Sequence, residues 1–146
     1  MNRNGPVIII EDDADDQMLL KGIFRKLSYK NKVLFFDDSE KALEYLDQPG
    51  VSPFLILSDI NMPKLDGFAL RTKLQSVASA RLQSIPYLFY STACCQKIIN
   101  DAYSLSVQGF FVKANTLDEM EATIVSIMEY WQRCVFPESG NFRKYG

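Results

Sequence analysis

The chain predicts an α/β fold: a doubly wound domain around a five-stranded parallel sheet. Three observations carry this expectation. Short apolar runs recur along the chain, they alternate with stretches of helical periodicity, and three of the runs end in ionisable side chains. A continuous apolar run suits a strand covered on both faces, as helices cover a parallel sheet. Regular alternation of such strands with helical patterns is the mark of βαβ units.

Val7-Ile8-Ile9-Ile10 is the first strand, and Leu19/Leu20, Ile23, Phe24 and Leu27 then recur at helical spacing. Val33 to Phe36 is the second strand. Ala42, Leu43 and Leu46 mark a short second helix with Asp38 or Ser39 as its N-cap, where a side-chain oxygen can accept from a free backbone N–H. Phe54 to Leu57 is the third strand, followed by a helix starting near Asp66-Gly67 and carrying Leu70, Leu74 and Val77. Pro86 to Tyr90 is the fourth strand, with Pro86 tolerable only as its first residue because it has no ladder donor. Cys95, Ile98, Ala102 and Leu105 trace a fourth helix, and Phe110 to Val112 the fifth strand. The last helix sets Leu117, Met120, Ile124, Ile127/Met128 and Trp131 along one face, opened by the capping-box pattern Thr116-x-x-Glu119. From Pro137 the sequence turns polar, so a domain over 1–136 and a loose tail over 137–146 are expected.

With 146 residues, the chain has room for one domain with a substantial core. A net charge of -2 with scattered basic residues gives no footprint for direct nucleic-acid binding. No signal peptide and no membrane-length apolar run is present, and the three cysteines lack metal-ligand spacing, so a reduced, cytoplasmic protein is expected. The chain contains no histidine. It therefore cannot build a histidine-based triad or supply its own phosphohistidine.

In an open parallel sheet, ligands bind beyond the carboxyl ends of the strands. There the first strand runs into Glu11-Asp12-Asp13, the third into Asp59 and the fifth into Lys113. Carboxylates at strand ends suit a hard cation such as Mg²⁺, and an ammonium over the same crevice offsets their repulsion and attracts a phosphoryl group. Asp15 and Asp16 read instead as acidic residues favouring a helix N-terminus. Ser91 and Thr92 follow the fourth strand, where a hydroxyl can meet a phosphoryl oxygen or cap the next helix.

The ordered segments Ile10-Glu11-Asp12-Asp13, Leu57-Ser58-Asp59-Ile60-Asn61-Met62-Pro63-Lys64-Leu65-Asp66-Gly67, Ser91-Thr92-Ala93 and Phe111-Val112-Lys113 resemble response-regulator receiver domains of two-component signalling. The resemblance spans residues 6 to about 134, and its D-x-N-M-P-x-x-D-G segment is highly specific. It implies a flavodoxin-like (βα)5 fold of the stand-alone, single-domain type. Asp59 would be the phosphoacceptor, with Mg²⁺ held by Glu11, Asp12, Asp59 and the backbone carbonyl of Asn61. Lys113 would contact Asp59 and the phosphoryl group, Ser91 would be the conserved-type hydroxyl, and Phe110 the aromatic switch. Met62-Pro63 and Gly67 would shape the turn presenting Asp59. The implied donor is a sensor histidine kinase or a histidine phosphotransfer protein. The implied output is a downstream protein, met through the face of the fourth helix, fifth strand and fifth helix, or onward phosphoryl relay; a homodimer is also compatible.

Two departures from the family pattern stand out. Ala114 replaces the usual proline after the lysine, which predicts either a trans peptide with a shifted loop or a strained cis one. Phe110 lacks a phenolic hydroxyl, so a switch here would work by packing. Cys94-Cys95 invite a redox reading, against which one cysteine packing in the fourth helix and the other facing out is the simpler expectation. The alternative function is a Mg²⁺-dependent aspartyl-phosphate phosphohydrolase. Such enzymes carry an acid/base aspartate two residues after the nucleophile; Asn61 stands there and cannot transfer a proton, so a non-enzymatic signalling module with slow self-dephosphorylation is expected.

Overall fold

A computed structural model describes residues 2–76, 80–92 and 95–136. In order, these form β1 (Val7–Ile10), α1 (Ala14–Leu27), β2 (Val33–Phe36), α2 (Ser39–Asp47), β3 (Leu55–Ser58), α3 (Gly67–Ser76), α4 (Ala80–Gln83), β4 (Tyr87–Ser91), α5 (Gln96–Ser104), β5 (Gly109–Val112) and α6 (Leu117–Arg133). All strand pairs are parallel and the sheet order is β2-β1-β3-β4-β5. The order reverses beside β1, so the crevice between the ends of β1 and β3 is the topological switch point where ligands bind in open sheets.

Successive side chains of a strand point to opposite faces, and each face feeds its own core. Ile8, Ile10, Ile56, Tyr87 and Phe89 pack with Ala42, Leu46, Leu70, Leu74 and Ala102 from α2, α3 and α5. Val7, Ile9, Leu55, Leu57, Leu88 and Tyr90 pack with Leu20, Ile23 and Phe24 of α1 and with Met120, Ile124, Ile127 and Met128 of α6. This two-sided cover is why the central strands read as unbroken apolar runs. Each fully buried Leu or Ile contributes about 1.5–3 kcal/mol relative to exposure. The outer strand β2 is only half-buried.

The helix caps follow local chemistry. Asp13, Asp38 and Thr116 accept from Asp16, Glu40 and Glu119 backbone N–H groups respectively. Four details differ from expectation. A fourth, one-turn helix anchored by buried Leu82 stands between α3 and β4, so the helices expected as fourth and fifth are α5 and α6. Cys95 precedes α5 as its N-cap residue and is exposed, because the helix begins at Gln96; neither Ser91 nor Thr92 caps it. Leu117 is exposed although it falls on the apolar period of α6; it lies at an open pocket beside Gly22, Ile23 and Lys26 of α1. Pro86 lies one residue before β4, and its carbonyl accepts from Ile56 N–H. Val77, Cys94 and the tail over 137–146 lie outside the described residues. Among the described residues, no helix is long and apolar enough to cross a membrane.

Candidate functional site: an acidic crevice at the strand ends

Backbone pairing continues one residue past three strands and fixes where the polar side chains start. Glu11 N–H donates to the Phe36 carbonyl, Asp59 N–H to the Ile10 carbonyl and Lys113 N–H to the Ser91 carbonyl, each at 2.9 Å. Glu11 and Asp59 are buried while Asp12 is exposed at the rim. One carboxylate oxygen from each of these three residues lies within 4.8 Å of the others. Three converging oxygens with one open side match the oxygen-rich, partly hydrated shell that Mg²⁺ prefers. Asn61 is exposed on the turn two residues after Asp59.

Lys113 reaches back from the end of β5 into this cluster with a side chain only 9% exposed. Its ammonium lies 2.9 Å from Glu11 Oε2, 2.8 Å from Asp16 Oδ2 and 3.0 Å from Asp59 Oδ2. The Tyr90 ring forms a wall, its centroid 6.0 Å from Nζ. Burial pushes the Glu11 carboxyl up to about 7; the Lys113 hydrogen bond resists this and the Asp59 charge adds to it. Burial alone would lower Lys113, but the hydrogen bonds to Asp16 and Glu11 outweigh it and hold the ammonium above the ordinary lysine range. The other oxygens are also held. Asp59 Oδ1 accepts from Ile60 N–H at 2.7 Å, Glu11 Oε1 from Asp13 N–H at 3.1 Å, and the Gln17 amide donates to the Glu11 carbonyl.

The turn after Asp59 is shaped differently from the sequence expectation. Lys64, not a glycine, takes the left-handed backbone at φ 64°. Gly67 is needed for close approach instead: a Cβ there would run into the Asp59 carbonyl oxygen and the Ile60 Cα. Its N–H donates to the Ile60 carbonyl at 2.9 Å, clamping α3 against the turn. Met62 is buried and receives the Ser39 hydroxyl at 3.7 Å from its sulfur.

The crevice therefore unites Glu11, Asp12, Asp59 and Lys113. Ser91 is buried at the end of β4, paired in register with Val112, and Thr92 beyond it is exposed. Phe110 sits deeper along β5, half-buried, its ring centroid 6.2 Å from that of Phe89. Strand alternation puts Ser91, Phe89 and Phe110 on the α3/α5 side of the sheet, and Tyr90 and Lys113 on the α1/α6 side. The Lys113–Ala114 peptide is trans, and Ala114 packs against the α1/α6 core. The residue missed in the sequence is Asp16. It does lie in the first turn of α1, as expected of a helix N-terminal acid, but its carboxylate also pairs with Lys113, 97 positions away. Alternating burial gives no warning of so distant a pair.

The response regulator receiver domain model matches residues 7–125. The chain belongs to that family. As a receiver it is similar to a probable methanogenesis regulatory protein, FilR2, of Methanothrix harundinacea: 28% identical over 129 residues, or 86% of this chain and 82% of the relative. The response regulator Rcp1 of Synechocystis is 23% identical over 134 residues, covering 88% of this receiver and 90% of Rcp1. The crystal structure of Rcp1 in its Mn²⁺-bound form superposes with a TM-score of 0.78 at 22% identity, over 90% of this chain and 98% of that one. The phosphorylated cyanobacterial phytochrome response regulator RcpA superposes with a TM-score of 0.81 at 26% identity, over 91% of this chain and 98% of that one. The receiver of a two-component response regulator, with its acidic pocket, is thus what this fold and crevice constitute.

Proposed function

We propose that Asp59 accepts a phosphoryl group from a phosphohistidine on a partner protein, either a sensor histidine kinase or a histidine phosphotransfer protein. The observation that carries this reading is the Lys113 ammonium bonded at 3.0 Å to one oxygen of Asp59, inside a cluster of carboxylates open on one side. Glu11, Asp12 and Asp59 fit a Mg²⁺ ion, to which the Asn61 carbonyl would be a further ligand; when bound it would supply positive charge to the transferring group. The Mn²⁺-bound form of the similar regulator Rcp1 supports that fit. The chain's own residues do the positioning. Ile60 N–H fixes Asp59 Oδ1 while Lys113 holds Oδ2, so the carboxylate meets the donor in one orientation. Lys113 offers charge to the incoming phosphoryl oxygens.

Phosphorylation then adds about -1.5 to -2 charge beside Ser91 and Lys113. Ser91 donates to a phosphoryl oxygen, and Phe110, on the same side of the sheet, repacks as Ser91 moves. The α5/β5/α6 face changes shape and binds a downstream protein, or the phosphoryl group passes onward to another histidine. On this reading the protein works in the cytoplasm as a signalling module, without direct nucleic-acid contact.

The test is intact mass after incubation with Mg²⁺ and acetyl phosphate. A single phosphoadduct is expected on wild type and none on Asp59→Asn. Absence of the adduct on wild type overturns the phosphoacceptor role, and rapid multiple turnover would favour a phosphohydrolase.

A further inference from the structure

We propose that Asp16 is a positioning residue for Lys113, holding its ammonium over Asp59 through a bond that no metal ligand shares. The proposal rests on the phosphoacceptor reading above. A lysine ammonium has three N–H donors, and here three carboxylates surround it, at 2.8 to 3.0 Å. Glu11 and Asp59 also belong to the cluster that suits a divalent cation, and Asp16 does not. A donor directed at Glu11 competes with a cation for that carboxylate. The donor directed at Asp16 competes with nothing, so it defines where the ammonium stays when the others change partners.

Asp16 is itself well placed to act as a fixed point. Its backbone N–H is bonded at 3.0 Å to Asp13 Oδ1, and α1 is pinned to the sheet by Leu20, Ile23 and Phe24. Lysine is a flexible four-carbon stem with about 2 kcal/mol of rotamer entropy, and Asp16 on one side with the Tyr90 ring near it confines that stem. A helix N-terminal acid needs no such partner: Asp15, in the same turn, is exposed. Asp15 is therefore the internal control, with equal charge and equal place in the helix dipole.

The experiment compares Asp16→Ala with Asp15→Ala. In ¹⁵N-lysine-labelled protein, the Lys113 ammonium resonance, assigned by its loss in Lys113→Met, reports the contact without metal or phosphodonor. Asp16→Ala is expected to broaden that resonance by faster exchange with water, and to slow adduct formation from acetyl phosphate by about 10–100-fold. Asp15→Ala should do neither, and Asp16→Glu should recover part of the rate. Asp16→Asn, of the same shape but uncharged, repeats the comparison if the alanine variant unfolds. A rate for Asp16→Ala no slower than for Asp15→Ala overturns the proposal. If wild type forms no adduct, the phosphoacceptor reading fails instead, and an ammonium resonance left sharp in Asp16→Ala still overturns the placement of Lys113.

Discussion

Replacing Lys113 by methionine removes the ammonium that three carboxylates share and keeps most of the stem's volume. Breaking a buried ion pair by deleting one partner costs about 3–5 kcal/mol, because the remaining charge is left uncompensated. Asp16 is about a quarter exposed and can turn to water, so the lower end, about 3 kcal/mol, applies at neutral pH. For a chain of this size that lowers Tm by roughly 9 °C. The cost must depend on pH in a definite sense. In the native protein Glu11 is already raised from 4.5 to about 7, and losing Lys113 takes away the hydrogen bond that opposes this rise. A carboxyl with a raised native value binds its proton in the folded state where the unfolded chain has released it, so its contribution to stability declines as pH rises above 4.5. Lys113→Met should therefore be least damaging near pH 5 and most damaging above pH 7. Saturating Mg²⁺ should restore more stability to the variant than to wild type, because it supplies the missing charge. Urea denaturation at both pH values, with and without Mg²⁺, measures all of this. An equal loss at pH 5 and pH 8 would refute the electrostatic account and reduce Lys113 to packing.

Two further perturbations test the site from other directions. A cation needs Glu11 deprotonated, and Glu11 titrates at about 7, so Mg²⁺ affinity should weaken as pH falls through 7, approaching about tenfold per pH unit; calorimetric titrations at pH 8, 7 and 6 giving one constant would contradict this. Gly67→Ala forces a Cβ against the Asp59 carbonyl and Ile60, so it should cost about 1–3 kcal/mol in denaturant unfolding and slow phosphorylation together; wild-type values for both would show that the turn yields freely.

Much of this molecule was legible in the sequence because its sheet is covered on both sides. Val7–Ile10 and Leu55–Ser58 are buried throughout, so apolar runs and strands coincide. The crevice was legible for the same reason: a charge that follows a buried run marks the strand's end, as Glu11 and Asp59 do, while Lys113 follows the apolar but only partly buried β5. Elements set by tertiary packing were not legible. The four residues of α4 are too few to show a period; the burial of Leu82 and the Arg81 guanidinium, which donates to the Val51 and Leu46 carbonyls, hold them. Leu117 obeys the helical period yet stays largely exposed beside Gly22, Ile23 and Lys26 of α1, since period cannot tell how deeply a neighbouring helix covers a side chain. The role of Gly67 is a spatial exclusion by a backbone eight residues earlier, although its identity as glycine was a visible hint. Asp16 reads in sequence as a helix N-terminal acid alone, because its second partner lies 97 positions away.

The division of the sheet into two separately packed faces has a consequence for how a signal leaves the crevice. Neighbouring residues of β4 belong to different halves of the protein: Ser91 borders the half that holds Phe110, and Tyr90 the half that holds α1 and α6. A chemical event at the strand tips thus stands on a seam, in touch with both halves at once. The two cores share the strands of the sheet but none of their side chains, so the strand tips are where the two packings meet.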